Sequence, residues 1–548
     1  MYKSREGKDV ESYFLGNRSI PWWAAGLSVM ATQASAITFI GTTGQAFNDG
    51  MRFIQIYLPL PIVVVLLCIS FVPFFYRAKV YTAYEYLERR FDTKTRALTS
   101  FLFQCSRGMS VGIVLYAPSV VLSVILGWSE FWTILLMGIS TILYTTWGGV
   151  RAVVWTDTMQ MLLMFVGVFV GLYLVIDGLP QNVTFSDAIY LGGVTNHWNA
   201  IDLSIDPKNQ YTLLSGLLGG FFLMLSYFGC DQSQVQRYIT ARSLKESQMS
   251  LIMTAILKVP MQFLILATGV FLMVFYQFEH HPIFFNPAEV QKIETSQSVS
   301  DEVRKQFLDL KAEFDTAFED RKAVSNRLLE SRKNGNADET AQLLRQFDSL
   351  NKTVEEKRKA AGAIIKTISS SNDVNYVYPS FILKYVPIGM LGLMIAVIFA
   401  AAMSSISAEV AALSSASMID FYKRFFVKDV SETHYFRASQ LFTLFWGIFA
   451  TVIATFAGRW GTSLVETVNK VGSHFYGPIL GVFLLGFLFK RANGNGAFWG
   501  IIAGMGAVIF TSWTTNIAWL YLNAIGPFVV VITGVAVSLL TKKAGRES

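Results

Sequence analysis

Twelve apolar stretches run through this chain, each long enough as a helix to cross a bilayer, and a soluble fold has no means of burying them all. A helix rises ~1.5 Å per residue, so about 20 residues cross the ~30 Å hydrocarbon core, where every backbone N–H and C=O must be satisfied internally. The stretches lie near 21–48, 52–76, 97–126, 130–147, 153–176, 211–235, 249–276, 387–418, 436–457, 463–489, 496–519 and 525–541. With 53% hydrophobic and only 15% charged residues among 548, the chain reads as an all-α polytopic membrane protein.

Basic residues set the expected orientation. Lys3, Arg5, Lys8 and Arg18 precede the first span; Arg77, Lys79, Arg89, Arg90, Lys94 and Arg96 follow the second. Arg237, Arg242 and Lys245, then Lys423, Arg424 and Lys428, then Lys490 and Arg491, and finally Lys542, Lys543 and Arg546 continue on alternate loops. By the positive-inside rule these loops are cytoplasmic, which places both termini inside a cell membrane, of the bacterial inner-membrane kind, with lipid around the spans. The +7 net charge is therefore a record of topology and implies no nucleic-acid partner.

The expected organisation is a cytoplasmic segment at 1–20, seven spans over 21–276, an external insertion at 277–375, five spans over 376–541 and a cytoplasmic tail at 542–548. From about Asn286 to Asn375 the composition turns soluble. Phe307, Leu310, Phe314 and Phe318 repeat at helical spacing, Asn334-Gly335-Asn336 interrupts, and Leu343, Leu344, Phe347, Leu350 and Val354 resume. This predicts an antiparallel helical hairpin. Its narrow apolar stripe suits self-packing, or a docking surface for a partner or a second copy within 286–375. Cys68, Cys105 and Cys230 fall within spans as apolar fillers, and His280-His281 reads as surface. No nucleophile elbow, zinc-protease motif or phosphate loop occurs, so an enzyme is not expected.

Inside the eighth span, Ala401-Ala402-Met403-Ser404-Ser405-Ile406-Ser407 puts serine hydroxyls on one face of an otherwise greasy helix. A bilayer offers them no water. Their partner is either a neighbouring helix, brought close by small residues, or a hard cation that takes oxygen ligands.

Three further stretches carry a family resemblance. Tyr13-Phe14-Leu15-Gly16-Asn17-Arg18-Ser19-Ile20-Pro21-Trp22-Trp23 leads into the first span, Ala152-Val153-Val154-Trp155-Thr156-Asp157 opens the fifth, and Gln234-Val235-Gln236-Arg237-Tyr238 closes the sixth. Together they resemble the sodium/solute symporter family, over nearly all the chain except the hairpin. Members usually carry one more span before the Tyr13–Gly16 motif. The sequence begins in that loop, either through a start assigned late or because this member lacks the helix, and the ten core spans are present in both cases. The resemblance implies a LeuT-type core of two inverted five-helix repeats, with two additional C-terminal spans and the external hairpin as additions, and with the first helix of each repeat broken at mid-membrane. Ala31-Thr32-Gln33-Ala34-Ser35-Ala36 and Ser226-Tyr227-Phe228-Gly229 are the expected breaks.

Carried over residue by residue, the family's sodium site falls on the carbonyls of Ala31, Ala34 and Ala401 and the hydroxyls of Ser404 and Ser405. Neutral oxygens suit a monovalent coupling ion; no other cofactor is implied. A second sodium site falls on Asp157, Ser404 and Ser407, with Ala408 where a further hydroxyl sometimes stands. Asp157 equally suits a helix cap at the start of the fifth span. Substrate-lining positions match Gln33, Ser35, Thr38, Tyr57, Arg107, Tyr227, Phe228 and Asn469.

Arg107 is the sharpest of these. It lies about ten residues into its span, ~15 Å at the helical rise, and a guanidinium that deep needs a cavity or a partner. Its fork suits a carboxylate, as in the sialic-acid transporters that this position resembles, or a structural pair with Asp157 or helix-end carbonyls. Sugar-type members have an acid where Tyr57 stands and an amide where Met224 stands. Their loss, with Tyr116-Ala117-Pro118 and Trp155-Thr156-Asp157 similar to iodide, monocarboxylate and vitamin transporters, favours an organic anion. Lys258 and Lys470 are two more cations within spans, and Lys258 is expected to snorkel. The expected activity is sodium-coupled uptake of a carboxylate-bearing solute by alternating access. Symport of a neutral sugar or proline, and a transporter-like sensor or scaffold that binds without flux, are the alternatives.

Overall fold

Helices dominate the computed structural model, which describes residues 9–297, 299–368, 373–457 and 464–541. Lys3, Arg5, Lys8 and the tail at 542–548 lie outside the described residues. Among these residues ten helical units are long and apolar enough to cross a membrane. Two of them, Ile37–Ala78 and Glu130–Asp177, fold back on themselves, so the ten accommodate the twelve stretches read from the sequence.

Glycine makes both reversals. Gly50 takes φ 71° and ψ −152°, and Gly149 takes φ 56° and ψ −167°, regions that a side chain disfavours. The second elbow has a further reason. A Cβ on Gly149 would sit 2.8 Å from the Tyr13 carbonyl oxygen, because the Tyr13–Gly16 segment seats directly in the bend. The same segment is tied to the far end of the sixth span: Ile20 donates to Thr240 O at 3.2 Å, and Gln236 donates to Phe14 O at 3.0 Å. Two of the three family-like motifs therefore contact each other directly.

The broken helices lie at its centre. Trp22–Gln33 ends where Ala34 turns to φ −82°, ψ 74°, and the passage resumes as a wide turn over Ile37–Gly41 and the helix Thr42–Asp49. The sixth span is interrupted later than expected. Phe221–Cys230 stays helical through Ser226–Gly229, and the break falls on Asp231, extended at φ −82°, ψ 121°. Asp231 then caps Gln232–Tyr238, accepting from Ser233 N at 2.9 Å, so the carboxylate supplies the stop that the glycine was expected to supply. Ile388–Ala416, which carries the serines, packs between Thr93–Leu126 and Glu130–Asp177 and touches Trp22–Gln33.

The insertion forms the expected hairpin from Asp301–Lys333 and Ala337–Ile368. Phe307, Phe314, Phe318 and Val354 pack in one apolar cluster, while Leu328, Leu329, Leu343 and Phe347 join the core of the membrane bundle. The stripe is thus covered within the chain.

Several expectations about single residues need correction. Arg237 and Arg96, counted as loop cations, are buried within the bundle; Arg96 pairs with Asp420 and Glu88. Lys258 does not snorkel: it is fully buried, with Nζ 5.7 Å from the Tyr57 ring and without a hydrogen-bond partner. His281 is buried, whereas His280 beside it is half-exposed.

Candidate functional site

Oxygen atoms converge where the first break meets the serine helix. Ala31, Ala34, Ala401, Ser404 and Ser405 are all within 1% of full burial. Ser405 Oγ lies 3.5 Å from Ala31 O and 3.3 Å from Ala401 O, so three of the expected ligands meet across two helices. Ala34 follows the last helical residue with a non-helical ψ, which turns its carbonyl away from the helix path. Ser404 Oγ faces the Asp157 carboxylate but closes no hydrogen bond. A buried hydroxyl without a partner is costly, and a hard cation at this point would satisfy it. The residues fit sodium.

Asp157 stands mid-helix, eight residues beyond the Gly149 elbow, and so caps nothing. Its Oδ2 accepts from Ser28 Oγ at 2.6 Å and lies 4.0 Å from Arg237 Nε; Oδ1 has no partner. Ser407 donates to Ser404 O at 3.0 Å. Ser28 and Arg237 were absent from the sequence reading of this locus. Ser28 lies three residues before Ala31 on the same helix, and Arg237 belongs to the Gln234–Tyr238 motif.

Beside the oxygen cluster, and sharing Ser405 with it, a cavity of about 90 Å³ opens between the broken helices. It is lined by seven of the eight predicted substrate residues: Gln33, Ser35, Thr38, Tyr57, Arg107, Tyr227 and Asn469. Phe228 is the exception. One residue on from Tyr227, it points about 100° around the helix and is fully buried against its neighbours.

Arg107 is held from four sides. Nε donates to Asp231 at 2.6 Å, NH1 to Glu409 at 2.9 Å and NH2 to Tyr476 Oη at 2.7 Å, while the Tyr227 ring lies 5.0 Å from the guanidinium carbon. One cation thus balances two carboxylates, and Glu409 Oε2 has no partner. Asp157 and helix-end carbonyls, the structural partners expected for Arg107, are replaced by these. Glu409, Asp231 and Tyr476 are the main residues that the sequence reading missed. The signal was available, because Glu409 follows Ser405 by one helical turn in an apolar span, and intramembrane acids are as exceptional as arginines. Gln33 Oε1 is likewise unpartnered, while its Nε2 reaches only the Met224 sulfur at 3.8 Å.

A bundle with two broken helices, a cation-fitting cluster of neutral oxygens and a central cavity defines a secondary transporter. The sodium:solute symporter family model matches residues 13–308 and 358–504, and the chain belongs to that family. It is 28% identical to the sodium/sialic acid symporter of Proteus mirabilis, over 100% of this chain and 93% of the relative. It is 26% identical to the corresponding symporter of Aliivibrio fischeri, over 97% and 88%. A solved structure of a Na+-coupled sialic acid symporter, substrate-bound and outward-open, superposes with a TM-score of 0.76 at 25% identity, covering 100% of this chain and 95% of that one. The chain is accordingly a sodium-coupled symporter of LeuT-type architecture and not an enzyme.

Proposed function

We propose that this symporter imports a small carboxylate-bearing solute of the sialic-acid or monocarboxylate kind, with sodium bound by Ala31, Ala34, Ala401, Ser404 and Ser405. The observation that supports the solute class is Arg107, a guanidinium lining the cavity at mid-bundle, together with the relatives that carry sialic acid. Gln33, Ser35, Thr38, Tyr57, Tyr227 and Asn469 shape the remainder of the site. Termini on the cytoplasmic side and the hairpin outside complete the orientation.

Electrostatics supplies the coupling. Glu409 and Asp231 neutralise Arg107, so a solute carboxylate must displace one of them to reach the guanidinium. Glu409 lies four residues after Ser405, hence on the same helix face. An ion held by neutral oxygens leaves a positive charge one turn away, which draws Glu409 off Arg107 and exposes the guanidinium to the solute carboxylate. Sodium and solute then promote each other's binding reciprocally. At about 90 Å³ the cavity is smaller than the ~300–1,000 Å³ of small-molecule sites, so the bundle must open to admit the solute and rock to release it. Asp157, Ser404 and Ser407 are the second-ion candidate. Ser28 and Arg237 serve only Oδ2 of Asp157, and its unpartnered Oδ1 is the oxygen that such an ion would take.

The test is sodium-driven uptake of labelled N-acetylneuraminate and lactate into proteoliposomes. Accumulation only of neutral hexoses would refute the carboxylate reading, and binding without accumulation would make the protein a sensor.

A further inference from the structure

The hairpin roofs a second cavity, of about 540 Å³, whose floor is the outer half of the broken first helix at Phe47 and Asp49 and whose walls include the outer end of Leu244–Phe278. Its volume lies within the ~300–1,000 Å³ range of small-molecule sites. Most of the hairpin falls in residues 309–357, which the family model leaves unmatched, so the transport core does not account for this space.

The charges around it are unevenly satisfied. Arg321 is 4% exposed and lines the cavity, yet it has no ion pair among the described residues. Its NH2 donates to Tyr276 O at 3.0 Å and its NH1 to Asn351 at 3.2 Å, while Nε has no partner. Arg358, also on the lining, pairs with Asp373 at 2.6 Å and rests 5.3 Å from the Phe47 ring, again with Nε unpartnered. The carboxylates here are engaged. Asp373 also accepts from Phe285 N, Asp49 from Gln45, Glu355 from Asn351, and Glu466 from Gln210 and Tyr211. Three buried unpartnered atoms belong to lining residues, Nε of Arg321 and of Arg358 as donors and Gln277 Oε1 as an acceptor, so donors outnumber acceptors around the cavity. Burial, and then the nearby Arg358 charge, push the Arg321 guanidinium down to about 9, the direction expected of two cations with too little anion between them.

We infer that the space under the hairpin is a second anion site, in which Arg321, seconded by Arg358, holds a carboxylate-bearing solute outside the transport cavity. A buried arginine without an acid is costly to maintain unless an anion completes it, and its planar fork suits a carboxylate. The identification of the occupant with the transported solute rests on the carboxylate reading above; the shared chemistry extends to a free inorganic anion such as chloride.

Titration calorimetry of the full chain in nanodiscs, with N-acetylneuraminate and lactate, in sodium and in potassium gluconate, separates these cases. Two sites per chain are expected in sodium. In potassium the inner site is lost and the outer one persists; Arg321→Gln weakens that outer site tenfold or more, about the loss of one charge-assisted hydrogen-bond pair. Arg321→Lys, which keeps the charge, retains outer binding, and intact sodium-dependent binding at the inner site verifies that both variants are folded. A single site unaffected by Arg321→Gln overturns the outer site and leaves the solute reading standing. Loss of inner binding to carboxylates but not hexoses overturns the solute reading, whereas Arg321-dependent lactate binding in potassium still supports the outer site. Displacement by chloride with no carboxylate bound in gluconate overturns the solute as occupant.

Discussion

Ser405 and Glu409, one turn apart, carry the sharpest predictions at the scale of single residues. Ser405→Ala removes a hydroxyl that bridges Ala31 O and Ala401 O, and should lower apparent sodium affinity about tenfold, the ~1.4 kcal/mol of one good oxygen contact. Sodium activation of uptake reads it directly, with an unchanged activation curve as the refuting result. Glu409→Gln removes the internal carboxylate that holds Arg107 NH1. Carboxylate binding in potassium should rise towards the level in sodium, and equal sodium dependence in the variant would refute the exchange. The serines were legible in the sequence because polar groups in an apolar helix stand out. Glu409 was passed over beside them, since its meaning depends on Arg107, 302 residues away, and no local period reports that contact. Lys258 shows the converse: a long side chain can in principle reach the interface, and only packing decides that it stays buried.

At the scale of elements, apolar length fixes where helices run, and the joints between them depend on tertiary contacts. The Asp231 break illustrates the limit, because a glycine two residues earlier was the stronger local signal while the observed stop is a capping carboxylate already committed to Arg107. Gly149 makes the joint of Glu130–Asp177, and Gly149→Ala sets a Cβ against Tyr13 O in a positive-φ, extended-ψ backbone essentially confined to glycine, which costs ~1–3 kcal/mol before any clash. A thermal melt should show destabilisation, and an unchanged midpoint would contradict the seating of the Tyr13 segment. The tip of the hairpin has its own joint. Burial alone would raise the Asp187 carboxyl, but the Thr184 N–H and hydroxyl and the Lys333 ammonium outweigh it and hold it below the ordinary range. A lowered carboxyl contributes stability above its unfolded value of ~3.9, and that contribution disappears as pH falls through the lower folded value. Hydrogen exchange near Asn326–Lys333 should accelerate below that window, and more so than in Asp187→Asn, which lacks the titrating group.

At the scale of the whole molecule the hairpin and the transport core are separable in role though joined in packing. The core is closed by helices that the family model matches on both sides of the insertion. The hairpin adds Leu328, Leu329, Leu343 and Phe347 to the core of the membrane bundle and Arg321 and Arg358 to the second cavity beside the first helix. Replacing 301–368 with a short Gly/Ser linker therefore exposes some apolar surface but removes no proposed ligand of the inner site. The expected variant retains sodium-driven uptake at saturating solute, because Ser404, Ser405 and Arg107 are untouched. Its KM should rise several-fold, because a solute held under the hairpin raises the local concentration at the cavity mouth, in the manner of effective concentration. Uptake kinetics in proteoliposomes, with size-exclusion profiles to verify folding, separate the outcomes. A folded variant with no sodium-driven uptake would make the hairpin part of the transport machinery, and one with unchanged KM would remove its role in delivering the solute.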